Sequence, residues 1–123
     1  MHNVQSPRTD DSAIEQEIQA KGLTAPRVTP ADIEANIVGE YYVNAGEAVR
    51  AGMERYLEET DPLYLLTFCI LVLRSGFTVT GESACASPEN FDEEVGKKIA
   101  RANAVNKIWP LMGYALKEKL SSI

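Results

Sequence analysis

Two β-prone runs, Leu65 to Arg74 and Phe77 to Ser83, are separated only by Ser75-Gly76, which leaves an antiparallel hairpin as the simplest path for the chain. A two-residue connection ending in glycine suits a primed turn, which requires positive φ. The register predicted from that turn pairs Arg74 with Phe77, Val72 with Val79 and Ile70 with Gly81. Side chains alternate along a strand, so Phe68, Ile70, Val72, Phe77 and Val79 would form the core face. The opposite face would carry Cys69, Leu71, Leu73, Thr78, Thr80 and Glu82, apolar on one strand and polar on its neighbour. Such a face is either covered by another element or borders a pocket.

The flanking segments read mostly as helix. Ser12 is placed to cap a short helix over 13–20, with Ile14 and Ile18 one turn apart and a stop at Gly22. A linker over 22–28 leads to Thr29-Pro30-Ala31-Asp32, a helix start with Thr as cap, Pro in the first position and an acid in the first turn. Ile33 and Ile37 give this helix one apolar stripe, ending near Gly39. Glu40-Tyr41-Tyr42-Val43 fits either a short strand or the end of that helix. Ala48, Val49, Met53, Tyr56 and Leu57 have helical spacing, predicting a helix to about Glu59, before Asp61-Pro62 breaks it. Ser87-Pro88-Glu89-Asn90 opens another helix, with Phe91, Val95 and Ile99 as its sheet-facing ladder and Asn103 continuing it. Pro110 predicts an end by Trp109, with a last helix from Leu111 to Leu120 carrying Met112, Leu116 and Leu120 on one stripe. The fold class is α+β: a small antiparallel β-sheet (hairpin 65–74/77–83) packed against C-terminal helices, with an N-terminal helical segment. Residues 1–28 read as a tail with a short helix, and 29–123 as a single domain.

Composition narrows function more by exclusion than by assignment. The apolar run from Leu63 to Leu73 is about half the ~20 residues that a spanning helix needs. The stretch from Met1 to Arg8 has no apolar core, so it does not read as a signal peptide, and a cytoplasmic protein is expected. Cys69 and Cys85 sit among apolar or small residues, as buried free thiols do in a reducing compartment. With His2 as the one histidine, no His/Cys zinc set and no Ser-His-Asp or Cys-His constellation can be assembled, so no catalytic residue, metal or cofactor is assigned. A net charge of −6 argues against a nucleic-acid polymer as partner. The charge is uneven: residues 1–62 carry 5 Lys/Arg and 12 Asp/Glu, net −7, whereas 63–123 carry 7 and 6, net +1. Lys97, Lys98, Arg101, Lys107, Lys117 and Lys119 face only Glu118 as an acid after position 94. They form either a local anion site or a solvated helix face.

Several residues suit recognition of a small ligand. Thr78, Thr80, Glu82 and Ser83 offer hydroxyls and a carboxylate at strand spacing, suited to ribose or base edges, or they are solvent-facing strand residues. Asn103 is an amide on an apolar stripe. Burying it unpaired would cost about 1–3 kcal/mol, so it must bond either to backbone or to a ligand. Asn106, one turn on, needs the same accounting. Phe77, Phe91 and Trp109 can stack on a base or fill the core. Arg74 and Arg101 have the planar fork that matches phosphate. Asp92, Glu93 and Glu94 are explained by the positive end of a helix without catalysis.

The stretch from Leu65 to Cys85, with its GFTVTGESAC block, resembles the gene-product-49/66 family of tailed phages and prophages. So do Ser87-Pro88-Glu89-Asn90-Phe91-Asp92, Gly96, Ile99-Ala100-Arg101, Asn103-Ala104 and the run from Ile108 to Tyr114. The resemblance covers about residues 29–120. Ser75 departs from it, standing where the family usually has Asn, and residues 44–61 match it least. The pattern is also similar to phage anti-Thoeris sponge proteins, which sequester cyclic ADP-ribose isomers made by bacterial TIR enzymes. That resemblance implies a phage anti-defence protein that binds a cyclic nucleotide signal without cleaving it, and that assembles as a homo-oligomer. Cyclic di- and trinucleotides are further ligands of this kind. In this reading Phe91 walls in the base, Arg74 and Arg101 hold phosphates, and Asn103 and Thr80 bond to ribose or base. The competing reading is a module that engages a host protein through the acidic half.

Overall fold

The computed structural model describes residues 11–23 and 25–122, so the readings at His2 and over the first ten positions lie outside it. Three helices, three strands and one long helix follow in the order α1 (Asp11–Ala20), α2 (Pro30–Asn36), β1 (Ile37–Asn44), α3 (Ala45–Gly52), β2 (Leu66–Leu73), β3 (Thr78–Ala84) and α4 (Glu93–Ser121). Single turns of 3-10 helix, Pro62–Leu65 and Pro88–Asn90, precede β2 and α4. The sheet is antiparallel in the order β1-β2-β3. The α+β class and the hairpin stand as expected. Among the described residues no helix is long and apolar enough to cross a membrane.

The hairpin register differs from the predicted one by a single residue. Leu73 N donates to Phe77 O at 2.9 Å and Gly76 N to Leu73 O at 2.8 Å, so the loop is Arg74-Ser75-Gly76, three residues long. Gly76, at φ 90, takes the left-handed position that follows a tight turn in three-residue hairpin loops. Val79 therefore sits opposite Leu71, Thr80 opposite Ile70 and Gly81 opposite Cys69. A one-residue slip turns a strand over. The buried face of β2 is Thr67, Cys69, Leu71 and Leu73, and the run Phe68, Ile70, Val72 lies on the half-exposed outer face.

What covers the inner face is α4, and its stripe is also one residue from the expected ladder. Gly96, Ala100, Ala104 and Ile108 are buried, whereas Val95, Ile99 and Asn103 flank them half-buried. The reason is a backbone-to-backbone approach. A Cβ on Gly81 would collide with the Ala100 carbonyl oxygen and the Ala104 amide, and would come within 2.9 Å of the Ala104 Cα. Only small residues on both elements allow α4 to lie this close. At its N-terminal end Gly96 sits over the buried cross-strand pair Thr67 and Ser83. Ile33 from α2 closes the core with Cys69, Leu71, Leu73, Val79, Ala100, Ala104 and Ile108. Cys69 and Cys85 are both free and buried.

Three further boundaries correct the sequence reading. The α2 helix starts as expected, with a reciprocal Thr29–Asp32 capping box, but the chain turns extended at Ile37, and 37–44 form a full third strand. The helix expected to reach Glu59 ends at Gly52, because Glu54 adopts φ 50, a left-handed conformation. The helix expected from Ser87 is only a single 3-10 turn. Asp92, accepting from Val95 N at 3.0 Å, is the cap from which α4 begins. From there α4 runs unbroken to Ser121 with Pro110 inside it, so the expected break at Trp109 is absent. Proline costs the helix one hydrogen bond there, which the packing of Ile108, Trp109 and Met112 against the core outweighs.

Gly81→Ala should lower stability by about 3 kcal/mol in urea unfolding, since neither facing backbone can retreat. Thr80→Ala, on the outer face, should change it by less than about 0.5 kcal/mol. An unmoved midpoint for Gly81→Ala would contradict this account of the helix–sheet contact.

Candidate functional site

Arg101 projects from the flank of α4 that faces α2 and β1. Its Nη1 and Nη2 donate to Glu34 at 3.1 and 2.7 Å, and its Nε donates to Glu40 at 2.9 Å. The guanidinium thus joins three elements as a fork, and its donors are already directed at carboxylates. Arg101 holds the Glu40 carboxyl below its ordinary 4.5, helped by the Tyr42 hydroxyl donating at 2.8 Å. Burial, with the Glu40 contact second, pushes the Tyr42 phenol up. The Lys97 ammonium stands 5.6 Å from the Tyr42 ring centre. Burial also pushes the Cys69 thiol up, away from the reactive thiolate. The small cleft beside Arg101, about 230 Å³, is bordered by both carboxylates and suits an anion poorly.

Asn103 lies on the opposite flank of α4, and its Nδ2 donates to the Glu82 carbonyl oxygen at 2.9 Å. Thr80 is two residues along the same strand, exposed on the outer face. Arg74 is exposed at the hairpin tip, with its backbone N–H donating to Asn36 O at 3.0 Å. Phe91 follows the 3-10 turn at the other end of the sheet, half-buried. An eight-residue strand is roughly 26 Å long, so Phe91 and Arg74 do not meet around one small ligand within a chain. Thr80 and Asn103 share the β3 border, Arg74 lies at its tip, and Arg101 and Phe91 lie elsewhere.

Two larger concavities remain. One, about 620 Å³, lies between α1, α2 and α4 over Ile33, Val105 and Trp109. Its rim includes Asp11, Glu15 and Glu34, and α1 is tied down by Arg27, whose Nη1 and Nη2 donate to Glu15 at 2.6 and 2.7 Å. That ion pair pulls the Glu15 carboxyl down to about 2. Glu15 and Glu34 are paired with Arg27 and Arg101, so the groove offers an apolar floor with a largely compensated rim.

The other, about 430 Å³, runs beside the tip end of β3 between Phe77, Thr78, Val79 and Thr80 and the Lys107, Pro110 and Leu111 segment of α4. Phe77 is 58% exposed and Leu111 41%. Lys107 has no ion-pair partner among the described residues. An aromatic ring, the Thr78–Thr80 stretch of β3 and an uncompensated cation therefore border one opening, with Arg74 at the same end of the sheet. Phe77 and Lys107 are each recognisable in the sequence as a stacking group and a cation. Their convergence is not, because it depends on the hairpin slip and on α4 continuing through Pro110. Among the described residues no His/Cys/Asp/Glu group could hold a metal ion.

Residues 28–120 match the model of a phage protein family described as N4 Gp49/phage Sf6 gene 66. No curated protein and no solved structure matches the chain.

Replacing Arg101 by Met should cost about 1 kcal/mol at neutral pH, since the pairs are partly solvated. Because Glu40 is depressed in the folded state, the stabilisation is complete above about 4.5 and disappears as pH falls through the folded value. Urea midpoints of wild type and Arg101→Met should therefore converge on acidification from pH 7 to pH 3. Parallel curves would mean that the Glu40 contact contributes nothing.

Proposed function

We propose that this chain, which belongs to the phage protein (N4 Gp49/phage Sf6 gene 66) family, is an anti-defence protein that sequesters a cyclic nucleotide immune signal without cleaving it. The observation that carries this reading is the groove at the hairpin tip, where Phe77, Thr78, Thr80 and Lys107 border one opening. A nucleotide sponge needs a stacking face, hydrogen-bonding groups for ribose, and cations for phosphate. It needs no general base. In this arrangement Phe77 lies against the base, Lys107 and Arg74 face phosphates, and the backbone of Thr78 and Thr80 along the β3 border meets ribose. Arg101 and Asn103 act inside the fold, as the fork to Glu34 and Glu40 and as the partner of the β3 backbone. A volume of about 430 Å³ is at the lower end of the range for small-molecule sites, and copies of the chain associating there would enlarge it.

The groove over Trp109, the larger of the two, favours a second reading, in which the chain engages a host protein there. Native mass spectrometry of the purified protein with cyclic ADP-ribose isomers and cyclic di- and trinucleotides separates the two. A reversible complex releasing intact ligand is expected, with Phe77→Ala and Lys107→Ala each weakening it at least about tenfold. Turnover of the ligand would replace sequestration with catalysis. No complex across the panel would leave the host-protein reading.

A further inference from the structure

We propose that the backbone carbonyl of Asn106, left without a helical donor by Pro110, reads the base in the hairpin-tip groove and selects ligands whose base carries an exocyclic amino group. The inference rests on the nucleotide reading of that groove and adds the group that sets its specificity.

Each carbonyl inside an α-helix points along the axis at the N–H four residues on. Pro110 lies within α4 and has no N–H, so the turn that starts at Asn106 closes without that bond. Of the carbonyls from Glu93 to Lys117, that of Asn106 alone faces a residue with no donor. The pyrrolidine ring stands where the N–H would be and crowds the same oxygen. Asn106 is half-buried and Pro110 exposed, so water or a ligand has access to this turn.

Helical spacing places the open turn. Asn103, whose amide donates to Glu82 O, marks the flank of α4 that runs along the β3 border. Lys107 and Pro110, four and seven residues on, continue the same flank, and both border the groove that Phe77 borders from the strand side. The turn from Asn106 to Pro110 is therefore part of the helix wall of the groove.

With Phe77 against the face of the base, the edge of the base meets that wall. A carbonyl oxygen only accepts, so it requires an N–H opposite it. The amino group of adenine or cytosine supplies one, whereas the oxo group of hypoxanthine or uracil sets two acceptors against each other. Leaving a desolvated polar group unmatched costs more than a matched bond gains, so one fixed acceptor discriminates more strongly than it binds. Alanine would hold the helix better at position 110. Proline supplies an acceptor to the groove that alanine would not.

Calorimetric titration of the full chain with cyclic di-AMP against cyclic di-IMP, and with cyclic ADP-ribose against cyclic IDP-ribose, compares ligands that differ only in the base edge. Wild type should prefer the amino member of a pair by at least about tenfold. Pro110→Ala returns the missing N–H, and it should fold with a raised urea midpoint while its preference falls to within about twofold. Pro110→Val, close to proline in volume, should lose the preference as well, which separates the returned N–H from a lost contact. Equal affinity of wild type for both members overturns the inference and leaves the nucleotide reading standing. A preference that survives both substitutions does the same. Binding of neither member of either pair removes the nucleotide reading and this inference with it.

Discussion

The contact between Gly81 and the backbone of Ala100 and Ala104 sets the rest of this structure. Because α4 approaches β3 with no side chain between them, the helix stripe must consist of Gly96, Ala100 and Ala104, with Ile108 as the first large member. The strand face beneath must be the one containing Gly81. The hairpin loop, the phase of β2 and the identity of the core follow from that choice. Leu71 and Leu73 enter the core because Gly81 does, and Phe68, Ile70 and Val72 are left outside for the same reason.

This contact also explains which parts of the fold were legible in the sequence. The hairpin, the Thr29–Asp32 cap and the α+β class were, since each depends on neighbours in the chain. The face of β2 and the stripe of α4 were each missed by one residue, the first because the loop has three residues rather than two, the second because bulky residues were weighted over small ones. Apolar pattern reports where a side chain would gain from burial, but close packing selects where backbones can meet. The third strand was ambiguous because Glu40, Tyr41, Tyr42 and Val43 do not alternate in polarity. The Arg101 fork supplies the reason Glu40 is tolerated on the inner face. Continuity of α4 through Pro110 was missed because a tertiary contact outweighs one lost hydrogen bond.

The candidate site was legible in kind but not in place. Arg101 and Asn103 attract attention as polar groups on a helix that packs against a sheet, and both prove to be tied to the protein itself. Glu34 and Glu40 neutralise Arg101, whereas Arg74 and Lys107, at the tip end of the sheet, have no ion-pair partner among the described residues. The charge asymmetry between the two halves of the chain is therefore not a map of the surface. Carboxylates from the first half fold back onto arginines of both halves, as Glu15 does with Arg27 and Glu34 with Arg101.

The length of α4 has a mechanical consequence. At 29 residues the helix is roughly 43 Å long, against roughly 26 Å for the strands beneath it, and among the described residues Met112 is the last of the helix packed against the core. Its last two turns, beyond Met112, extend past the core as a cantilever, and Pro110 removes a rung of the ladder shortly before that support ends. A spectroscopic label at Lys119 would therefore sense rocking of the tip that a label on β2 does not. The same overhang gives the chain a handle that can bend towards a neighbour while Gly81 holds the other end of the helix still.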